Sequence, residues 1–245
     1  TTTTLISLML ECPVAGNIGK PLILIRDNTL KYISVEVSSY QLETIDTFKP
    51  HISVILNVTP DHMERHGNME RYAEAKAQVF KNQTAEDYVV YNANDPLVKK
   101  VVEAKAKCQK VPIYPKKPLE QNILAARAVA KICGVADSFV DKVLANFKGV
   151  EHRIEEVLEV NGVIAYNDSK ATNPESTMVA LDKITRPIVL IAGGRDKNTP
   201  LEDMANMMEG RVKHVVLIGE AADRFSVAFP RLSQSRAKTF AEAVE

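Results

Sequence analysis

Short apolar runs alternate with amphipathic stretches along the chain. Three runs rich in Val, Ile and Tyr predict strands, at residues 32–37, 52–58 and 88–91. The run at 52–58 is almost continuously apolar, which is typical of a strand covered on both faces of its sheet. Apolar residues at helical spacing predict helices at residues 5–11, 69–80, 96–107 and 119–133. Because strands and helices alternate, the pattern predicts parallel βαβ units and an α/β fold.

A second α/β pattern follows residue 150. Strands are predicted at residues 163–166, 188–192 and 214–218, with helices at 175–181 and 201–208 between them. The segment Gly149–Arg153 is a natural connector, so we expect two domains, at residues 1–149 and 150–245. An abrupt step near residues 11–12 suggests that an internal segment is missing there.

Composition narrows the class of protein. The chain has 245 residues, of which 45% are apolar and 25% charged, so a disordered chain is excluded. Lys+Arg and Asp+Glu number 31 each, and this zero net charge argues against a nucleic-acid partner. The three cysteines, Cys12, Cys108 and Cys133, form no CxxC pair, so neither a zinc knuckle nor a disulfide framework is expected. No apolar run approaches the roughly 20 residues that span a bilayer, and no signal peptide is visible, so we expect a cytoplasmic protein without a membrane partner.

Acidic and imidazole side chains follow the first two predicted strands. Glu36 lies within an apolar strand, where a buried carboxylate requires a metal or a cation; an edge-strand glutamate that faces water is the alternative. His62 follows the second strand, in a loop that also carries Asp61, Glu64 and His66. Glu36 and His62 could share a divalent ion, although a surface position is the commoner one for any single histidine.

Other polar residues say less on their own. Thr1–Thr4 either cap a helix or form the end of a phosphate loop, whose glycines and lysine are absent here. Lys76, on a predicted helix, is an ordinary solvated charge when judged from the residues alone. In the second half, Asn167–Asn173 and Gly193–Asn198 each follow a predicted strand. These two loops either cap the next helices or form a cleft for an anionic ligand.

Taken together, these segments resemble the Mur ligase family. The resemblance is carried by Glu36–Glu43, Asn57–Met63, Tyr72–Lys76, His152-Arg153, Asn167–Asn173 and Gly193–Lys197. The segments follow the family's order over nearly the whole chain, and the run Ser38-Ser39-Tyr40-Gln41-Leu42-Glu43 most resembles the members that add D-glutamate. The resemblance implies a Mur-ligase-type central ATP-binding domain with a mostly parallel sheet, followed by a smaller Rossmann-like α/β domain.

The resemblance also implies that parts of the family's chain are missing. The family's N-terminal domain, the glycines and lysine of its phosphate loop and the end of its C-terminal domain have no counterpart here. Against the family's pattern, the connection near residues 117–119 is also too short, which implies a second missing internal segment. We therefore expect a fragment that is inactive alone, from an enzyme that is active at full length.

Roles for individual residues follow from the same resemblance. Residues that resemble the ATP site are Thr1, Thr2, Asn122, His152, Arg153 and Asp168. Residues that resemble contacts to the muramoyl substrate are Asn17, Ser38 and Gln41, and those that resemble the D-glutamate site are Lys170, Thr172 and Lys197. Residues that resemble catalytic groups are Lys76, His62, Glu36 and Lys170. The implied ligands of Mg²⁺ are Thr1, Glu36, His62 and Lys76, the last carbamylated so that a cation becomes an anion.

The implied activity is ATP-dependent amide ligation. ATP phosphorylates the carboxylate of UDP-N-acetylmuramoyl-L-alanine, and the amine of D-glutamate attacks the resulting acyl phosphate, in cytoplasmic synthesis of peptidoglycan precursors. The implied cofactors are ATP and two Mg²⁺ ions, and we expect a monomer. Two alternatives stay open: a sister ligase of the family with another acceptor, and an inactive remnant that only binds nucleotide.

Overall fold

The computed structural model describes residues 1–61 and 63–245, so the predicted site residue His62 lies outside the described residues. The chain divides into two compact units. The first contains Thr1–Thr59 and Met63–Val150, and the second contains Glu151–Glu245 together with Pro60 and Asp61. Within the described residues, none of the helices is both long and apolar enough to cross a membrane.

The first unit alternates helices and strands, as the sequence pattern predicts. Its helices are α1 (Thr2–Leu10), α2 (Ser39–Leu42), α3 (Met63–His66), α4 (Met69–Ala77), α5 (Pro96–Lys105), α6 (Glu120–Ile132) and α7 (Asp137–Asn146). Its strands are β1 (Val14–Gly16), β2 (Ser34–Glu36), β3 (Ile52–Ile55), β4 (Tyr88–Asn92) and β5 (Gln109–Ile113). These strands pair in parallel, in a two-stranded sheet β1-β2 and a three-stranded sheet of order β3-β4-β5. The predicted α/β class is therefore confirmed.

The sheet β3-β4-β5 is covered on both faces. Val89 and Val90 of β4 are each fully buried, and because neighbouring strand residues point to opposite faces they belong to two different apolar clusters. Helix α5 begins at Asp95, whose carboxylate accepts hydrogen bonds from the amides of Leu97 and Val98 at 3.0 and 2.9 Å. The side chains that α5 buries are Val98, Val101 and Val102.

Strand β5 is missing from the sequence prediction, because residues 110–118 show little periodicity. It contains Lys110 and Pro112, and only Ile113 of its five residues is buried. Proline, which has no N–H to donate, is tolerated because β5 is an edge strand that pairs on one side with β4. An edge strand can thus form from residues that the period-2 pattern does not identify.

Helices α1 and α6 pack closely on each other. Leu5 and Met9 of α1 are buried in one cluster with Ala126 and Ala130 of α6. The small alanine side chains allow the two helices to approach. This packing brings the start of α1 beside Asn122, in the first turn of α6.

Tight connections occur at both places where missing segments are predicted. Helix α1 ends because Glu11 adopts a left-handed φ of 48°, and the amide of Cys12 donates to the carbonyl of Ser7 at 3.0 Å. Before α6, the amide of Glu120 donates to the carbonyl of Lys117 at 3.1 Å. Local hydrogen bonds therefore close both connections.

The second unit combines a parallel sheet with an antiparallel hairpin. Its helices are α8 (Pro174–Lys183), α9 (Glu202–Met208), α10 (Ala222–Ala228) and α11 (Phe240–Val244). Its strands are β6 (Glu155–Val160), β7 (Val163–Asn167), β8 (Ile188–Gly193), β9 (Val212–Ile218) and β10 (Gln234–Arg236). The order of the parallel sheet is β10-β9-β8, and β6 pairs with β7 in an antiparallel hairpin.

The sequence pattern predicts β7 but not β6, and therefore does not predict the hairpin. The turn is Asn161-Gly162, with positive φ values of 51° and 79°, which is a preferred two-residue hairpin turn. The strands carry exposed apolar side chains such as Leu158 and Val163, at 58% and 71% exposure, so their pattern does not point to one buried face. Because β7 pairs with β6, it lies in a different sheet from β8.

An apolar core packs against the parallel sheet of the second unit. Its buried members are Leu181, Leu201, Met204, Met208, Val212, Val215, Leu217 and Phe229. At the end of β8, Gly193 has a φ of 146°, and a Cβ there would lie 1.8 Å from the carbonyl oxygen of Ile218 in β9. Only glycine fits so tightly, at the point where the loop that carries Lys197 begins.

Candidate functional site

The N-terminus of α1 is the first candidate element. Thr1 precedes this nine-residue helix, no side-chain hydrogen bond caps it, and its first turn carries no acidic residue. The amides of a first helical turn have no partner within the helix, and the helix dipole is positive at this end. An uncapped helix start with threonine hydroxyls beside it therefore suits an anion such as a phosphate.

Two residues predicted for the ATP site meet at this helix start. The Thr2 hydroxyl donates a hydrogen bond to the Asn122 side-chain oxygen at 2.7 Å. The contact joins positions 120 residues apart in the chain, and it exists because α1 packs on α6.

Glu36 lies at the carboxyl end of β2, where the sequence predicts a metal ligand. It is half-buried, and its Oε1 lies 3.4 Å from the Asn17 side-chain nitrogen, which donates to it. The backbone amide of Asn17 donates to the Glu36 carbonyl at 2.8 Å. Gly16 permits this approach, since a Cβ there would lie 2.2 Å from the same carbonyl oxygen. A predicted metal ligand and a predicted substrate contact are thus neighbours.

The same strand is also tied to α1. The hydroxyl of Ser34, the first residue of β2, donates to the carbonyl of Thr3 at 2.9 Å. Glu36 therefore belongs to the region in which α1 begins, rather than to a separate edge of the unit.

Ser38 and Gln41, both predicted to contact the muramoyl substrate, bind each other. The Ser38 hydroxyl accepts from the Gln41 amide at 3.3 Å, and the Gln41 side-chain oxygen accepts from the Ser38 amide at 2.8 Å. This reciprocal pair is a capping box that starts α2. The two side chains therefore have a structural role whether or not a substrate is bound.

The neighbourhood of Lys76 contains a residue whose importance the sequence analysis missed. His66, for which a surface position is the expectation, is only 5% exposed, so that expectation is wrong. Its Nε2 is hydrogen-bonded with the Ser39 hydroxyl at 3.0 Å, and its ring stacks on Tyr72 with centroids 4.6 Å apart. The Lys76 ammonium lies 4.7 Å from the centre of the Tyr72 ring. Nothing in the local pattern distinguishes His66 from an exposed histidine, because its burial depends on α2 and α4.

The donor set of the first unit fits a hard cation. A hydroxyl at Thr1 and a carboxylate at Glu36 are oxygen donors, the kind that Mg²⁺ prefers. Among residues 1–61 and 63–245, no group of three or more His, Cys, Asp or Glu side chains is placed to hold a metal ion by itself. Mg²⁺ commonly uses only one or two protein ligands and completes its shell with water and phosphate oxygens.

In the second unit, three predicted residues come together around the connector after residue 150. The amide of Lys170 donates to the carbonyl of His152 at 3.0 Å. The Asp168 carboxylate accepts from the amide of Ile154 at 3.0 Å. His152 itself has a left-handed φ of 64°, and its Nδ1 lies 2.9 Å from the Asn167 side-chain nitrogen. The loop after β7 is thereby held against the connector.

The Asp168 carboxylate lies in a less polar setting than an exposed one. Burial raises its pKa, and the hydrogen bond from Ile154 and the charges of Arg153 and Lys183 offset part of that effect. Lys170 and Thr172, from the same loop, are exposed. Asn173 then caps α8 by accepting from the Ser176 amide at 2.9 Å.

Lys197 lies in a different loop, between β8 and α9. Its ammonium lies 3.2 Å from the carboxylate of Asp61, which belongs to the same unit. The neighbouring Asp196 is paired with Arg224 of α10, a contact that sequence reasoning did not find. Because β7 and β8 lie in different sheets, one sheet edge does not bring the loops of Lys170 and Lys197 together.

Two protein-family models match the chain in order. The Mur ligase middle domain matches residues 2–136, and the Mur ligase glutamate ligase domain matches residues 152–245.

Curated relatives named UDP-N-acetylmuramoylalanine–D-glutamate ligase match most of the chain. The protein from Thermoanaerobacter sp. (strain X514) is 40% identical over 86% of this chain and 54% of its own length. The protein from Clostridioides difficile (strain 630) is 39% identical over 85% of this chain and 54% of its own. The protein from Citrifermentans bemidjiense is 36% identical over 96% of this chain and 60% of its own. The chain thus spans between 54% and 60% of the length of these relatives.

Solved structures share the fold. MurF from Acinetobacter baumannii superposes with a TM-score of 0.78 at 17% identity, over 99% of this chain and 66% of that one. MurF ligase from Thermotoga maritima in complex with ADP gives a TM-score of 0.72 at 16% identity, over 96% of this chain and 67% of that one. At these identities the similarity is one of fold alone.

Proposed function

The chain belongs to the Mur ligase family, and from that premise we propose that the full-length protein adds D-glutamate to UDP-N-acetylmuramoyl-L-alanine with hydrolysis of ATP. The observation that carries the proposal is the pair of domain matches in order, with 36–40% identity to curated D-glutamate ligases over 85–96% of the chain. The solved MurF and MurC structures are similar to this chain at 16–17% identity, which supports the fold and not the acceptor.

The start of α1 is the proposed site for the ATP phosphates. The first-turn amides of α1, which no side chain caps, offer donors to an anion; Thr1 lies beside them, and the Thr2 hydroxyl already donates to Asn122. In the second unit His152, Arg153 and Asp168 are the proposed contacts to the base and ribose. The carboxylate of Asp168 is an acceptor suited to a ribose hydroxyl.

Magnesium is the proposed partner of the ATP phosphates. Thr1 and Glu36 would hold it, together with His62 and a carbamylated Lys76, the two other positions that the family resemblance assigns to the metal. Mg²⁺ would neutralise phosphate charge, because ATP and the substrate carboxylate are both anions that repel each other.

The proposed reaction has two steps. The substrate carboxylate attacks the γ-phosphate of ATP, which gives an acyl phosphate and ADP. The neutral amine of D-glutamate then attacks the acyl carbon, the C–O bond to phosphate breaks, and the amine loses a proton as the amide forms. The lysines of the second unit contribute by binding the anionic acceptor, and the uncapped amides of α1 by holding the phosphates in line.

D-Glutamate has two carboxylates that must be bound while its amine stays free. Lys170 and Lys197 are exposed cations in two loops of the second unit, and Thr172 adds an exposed hydroxyl. We assign these three side chains to the acceptor. Since Lys197 already lies 3.2 Å from the Asp61 carboxylate, an acceptor carboxylate would have to share or replace that partner.

Acceptor choice is the decisive test of the proposal. Full-length protein is supplied with ATP, Mg²⁺ and UDP-N-acetylmuramoyl-L-alanine, and phosphate release is measured with D-glutamate, L-glutamate, L-alanine or D-alanyl-D-alanine. We expect release only with D-glutamate, and a product heavier by one glutamyl residue. Release with another acceptor would identify a sister ligase, and nucleotide binding without any release would identify an inactive remnant.

A further inference from the structure

The loop between β8 and α9, residues 194–201, is attached to the adjoining β9–α10 corner. The amide of Gly194 donates to the Ile218 carbonyl at 3.0 Å, and the amide of Ala221 donates to the Gly194 carbonyl at 2.9 Å. These backbone bonds fix where the loop begins. They leave the rest of the loop, which carries Lys197, to be held by other contacts.

One side chain, Arg224 of α10, supplies such contacts. Its Nε lies 2.9 and 2.8 Å from the two carboxylate oxygens of Asp196. Its Nη1 donates to the backbone carbonyl of Thr199 at 3.0 Å. The two residues that Arg224 holds lie on either side of Lys197 and Asn198. A single guanidinium therefore clamps the loop before and after Lys197.

Asp196 passes this constraint to the backbone of the loop. Its Oδ1 also accepts from the amide of Asn198 at 2.9 Å, and Asn198 has a left-handed φ of 53°. The hydrogen bond from Arg224 lowers the pKa of Asp196, so the carboxylate stays charged. The pair is partly shielded, with Arg224 33% and Asp196 19% exposed. By contrast, Arg231 in the Arg231–Glu209 pair of the same unit is 77% exposed.

We propose that Arg224 is a positioning residue that sets the direction of Lys197 for the acceptor carboxylate. The inference rests on the proposed function, because it takes Lys197 as a D-glutamate contact. The proposed role acts through the loop, because the donors at Nε and Nη1 are engaged with Asp196 and Thr199. Arginine suits this task because its planar fork makes several directed bonds at once, which lysine cannot do.

The kinetic test compares four variants of the full-length protein, with each substrate varied in turn. They are Arg224→Met, Arg224→Lys, Lys197→Met and the double variant Arg224→Met/Lys197→Met. Misplacement of a binding group by about 1 Å can cost up to about 100-fold, so we expect Arg224→Met to raise the KM for D-glutamate about 10- to 100-fold. The KM for ATP should change less than about twofold, and Arg224→Lys should lie between wild type and Arg224→Met.

The double variant separates positioning from direct binding. If Arg224 works only through Lys197, the double variant should be within about twofold of Lys197→Met alone. Arg231→Met is the matched control, because it removes an arginine from an exposed ion pair in the same unit and should leave every KM unchanged. The proposal would be overturned if the increases in the KM for D-glutamate caused by Arg224→Met and Lys197→Met multiply in the double variant. A parallel rise in the KM for ATP in Arg224→Met would also overturn it.

Amide hydrogen exchange tests the clamp independently of activity. The Asn198 amide is hydrogen-bonded to the residue that Arg224 holds, so we expect exchange at Lys197 and Asn198 to accelerate at least about 10-fold in Arg224→Met and not in Arg231→Met. Unchanged exchange at these two amides would overturn the clamp even if the enzyme were active. A wild-type protein that ignores D-glutamate would instead refute the proposed function, and the exchange result would still decide the clamp.

Discussion

In the first unit, Ser38 and Gln41 are candidate substrate contacts and also the two halves of a capping box. In the second unit, Lys170 and Thr172 are exposed side chains of a loop that is held by backbone hydrogen bonds. Ser38 and Gln41 are therefore part of what keeps the first unit folded, whereas the side chains of Lys170 and Thr172 can change without loss of packing. Substitution of Ser38 or Gln41 should therefore change stability and activity together, whereas substitution of Lys170 or Thr172 should change activity alone.

The largest effect is expected at Lys76 in the first unit. Lys76→Ala should lower the turnover rate of the full-length protein at least about 100-fold, because a group that stabilises developing charge contributes roughly that much. Its ammonium lies 4.7 Å from the centre of the Tyr72 ring, a contact worth about 1 kcal/mol, so stability is measured alongside activity. The measurement is steady-state phosphate release, with thermal unfolding in parallel.

Added short-chain carboxylic acids should partly restore activity in Lys76→Ala by supplying the oxygens of the missing carbamate. The control is Lys105→Ala, which removes a lysine from an exposed ion pair with Glu74 and should leave turnover unchanged. Full turnover in untreated Lys76→Ala would show that the residue is a solvated charge.

Asp87 tests how strongly polar side chains stabilise the first unit. Burial opposes its ionisation, but hydrogen bonds from the Thr84 amide, His51, Lys49 and the Thr84 hydroxyl outweigh burial and hold the pKa of Asp87 well below its ordinary value. Asp87→Asn should cost about 2 kcal/mol of unfolding free energy at pH 7, since hydrogen bonds to a buried charge are lost. Urea unfolding measures it.

The pH dependence of Asp87→Asn has a defined sign. A depressed folded pKa contributes stability above the unfolded value of about 3.9 and loses it as pH falls below that value. The difference in unfolding free energy between wild type and Asp87→Asn should therefore narrow by about 1 kcal/mol between pH 7 and pH 3. Asp141→Asn, in an exposed pair with Arg127, should cost less than about 1 kcal/mol. If the difference in unfolding free energy between wild type and Asp87→Asn stays constant with pH, the stabilisation does not come from the charge of the Asp87 carboxylate.

Thr172 in the second unit tests whether a substitution can weaken acceptor binding with almost no change in stability. Thr172→Ala removes one hydroxyl from an exposed loop position, so the free energy of unfolding should change by less than about 0.5 kcal/mol. A lost hydrogen bond to a charged ligand is worth roughly 1.5–3 kcal/mol, so the KM for D-glutamate should rise about 10- to 100-fold. If the KM for ATP rises instead, Thr172 belongs to the nucleotide site.

The smallest expected effect is at Ser38, where one substitution should change both the stability of the protein and its binding of substrate. Ser38→Ala removes the capping hydroxyl of α2 and should cost about 1 kcal/mol of stability. It should also raise the KM for the muramoyl nucleotide. Thr239→Ala removes a comparable cap, from α11 in the second unit, and should destabilise without any change in KM. If Ser38→Ala and Thr239→Ala have equal KM values for the muramoyl nucleotide, Ser38 has only a structural role.

The amino-acid sequence determined the elements whose local pattern and tertiary surroundings agree. The apolar run at 52–58 contains β3, the run at 88–91 matches β4, and the predicted helix at 119–133 matches α6, because burial on both faces or along one stripe leaves a clear period. The family resemblance rests on the same property, since its motifs are short local strings at strand ends.

Tertiary structure decided the rest, because those features depend on partners distant in sequence. The burial of His66 depends on Ser39 and Tyr72, the edge strand β5 depends on β4, and the Thr2–Asn122 contact depends on two helices packed through alanines. Arg224 lies 28 residues from Asp196 in the sequence, and no local pattern predicts that the two side chains pair. Local periodicity reports what a segment buries, whereas only packing between segments reports which side chain meets which.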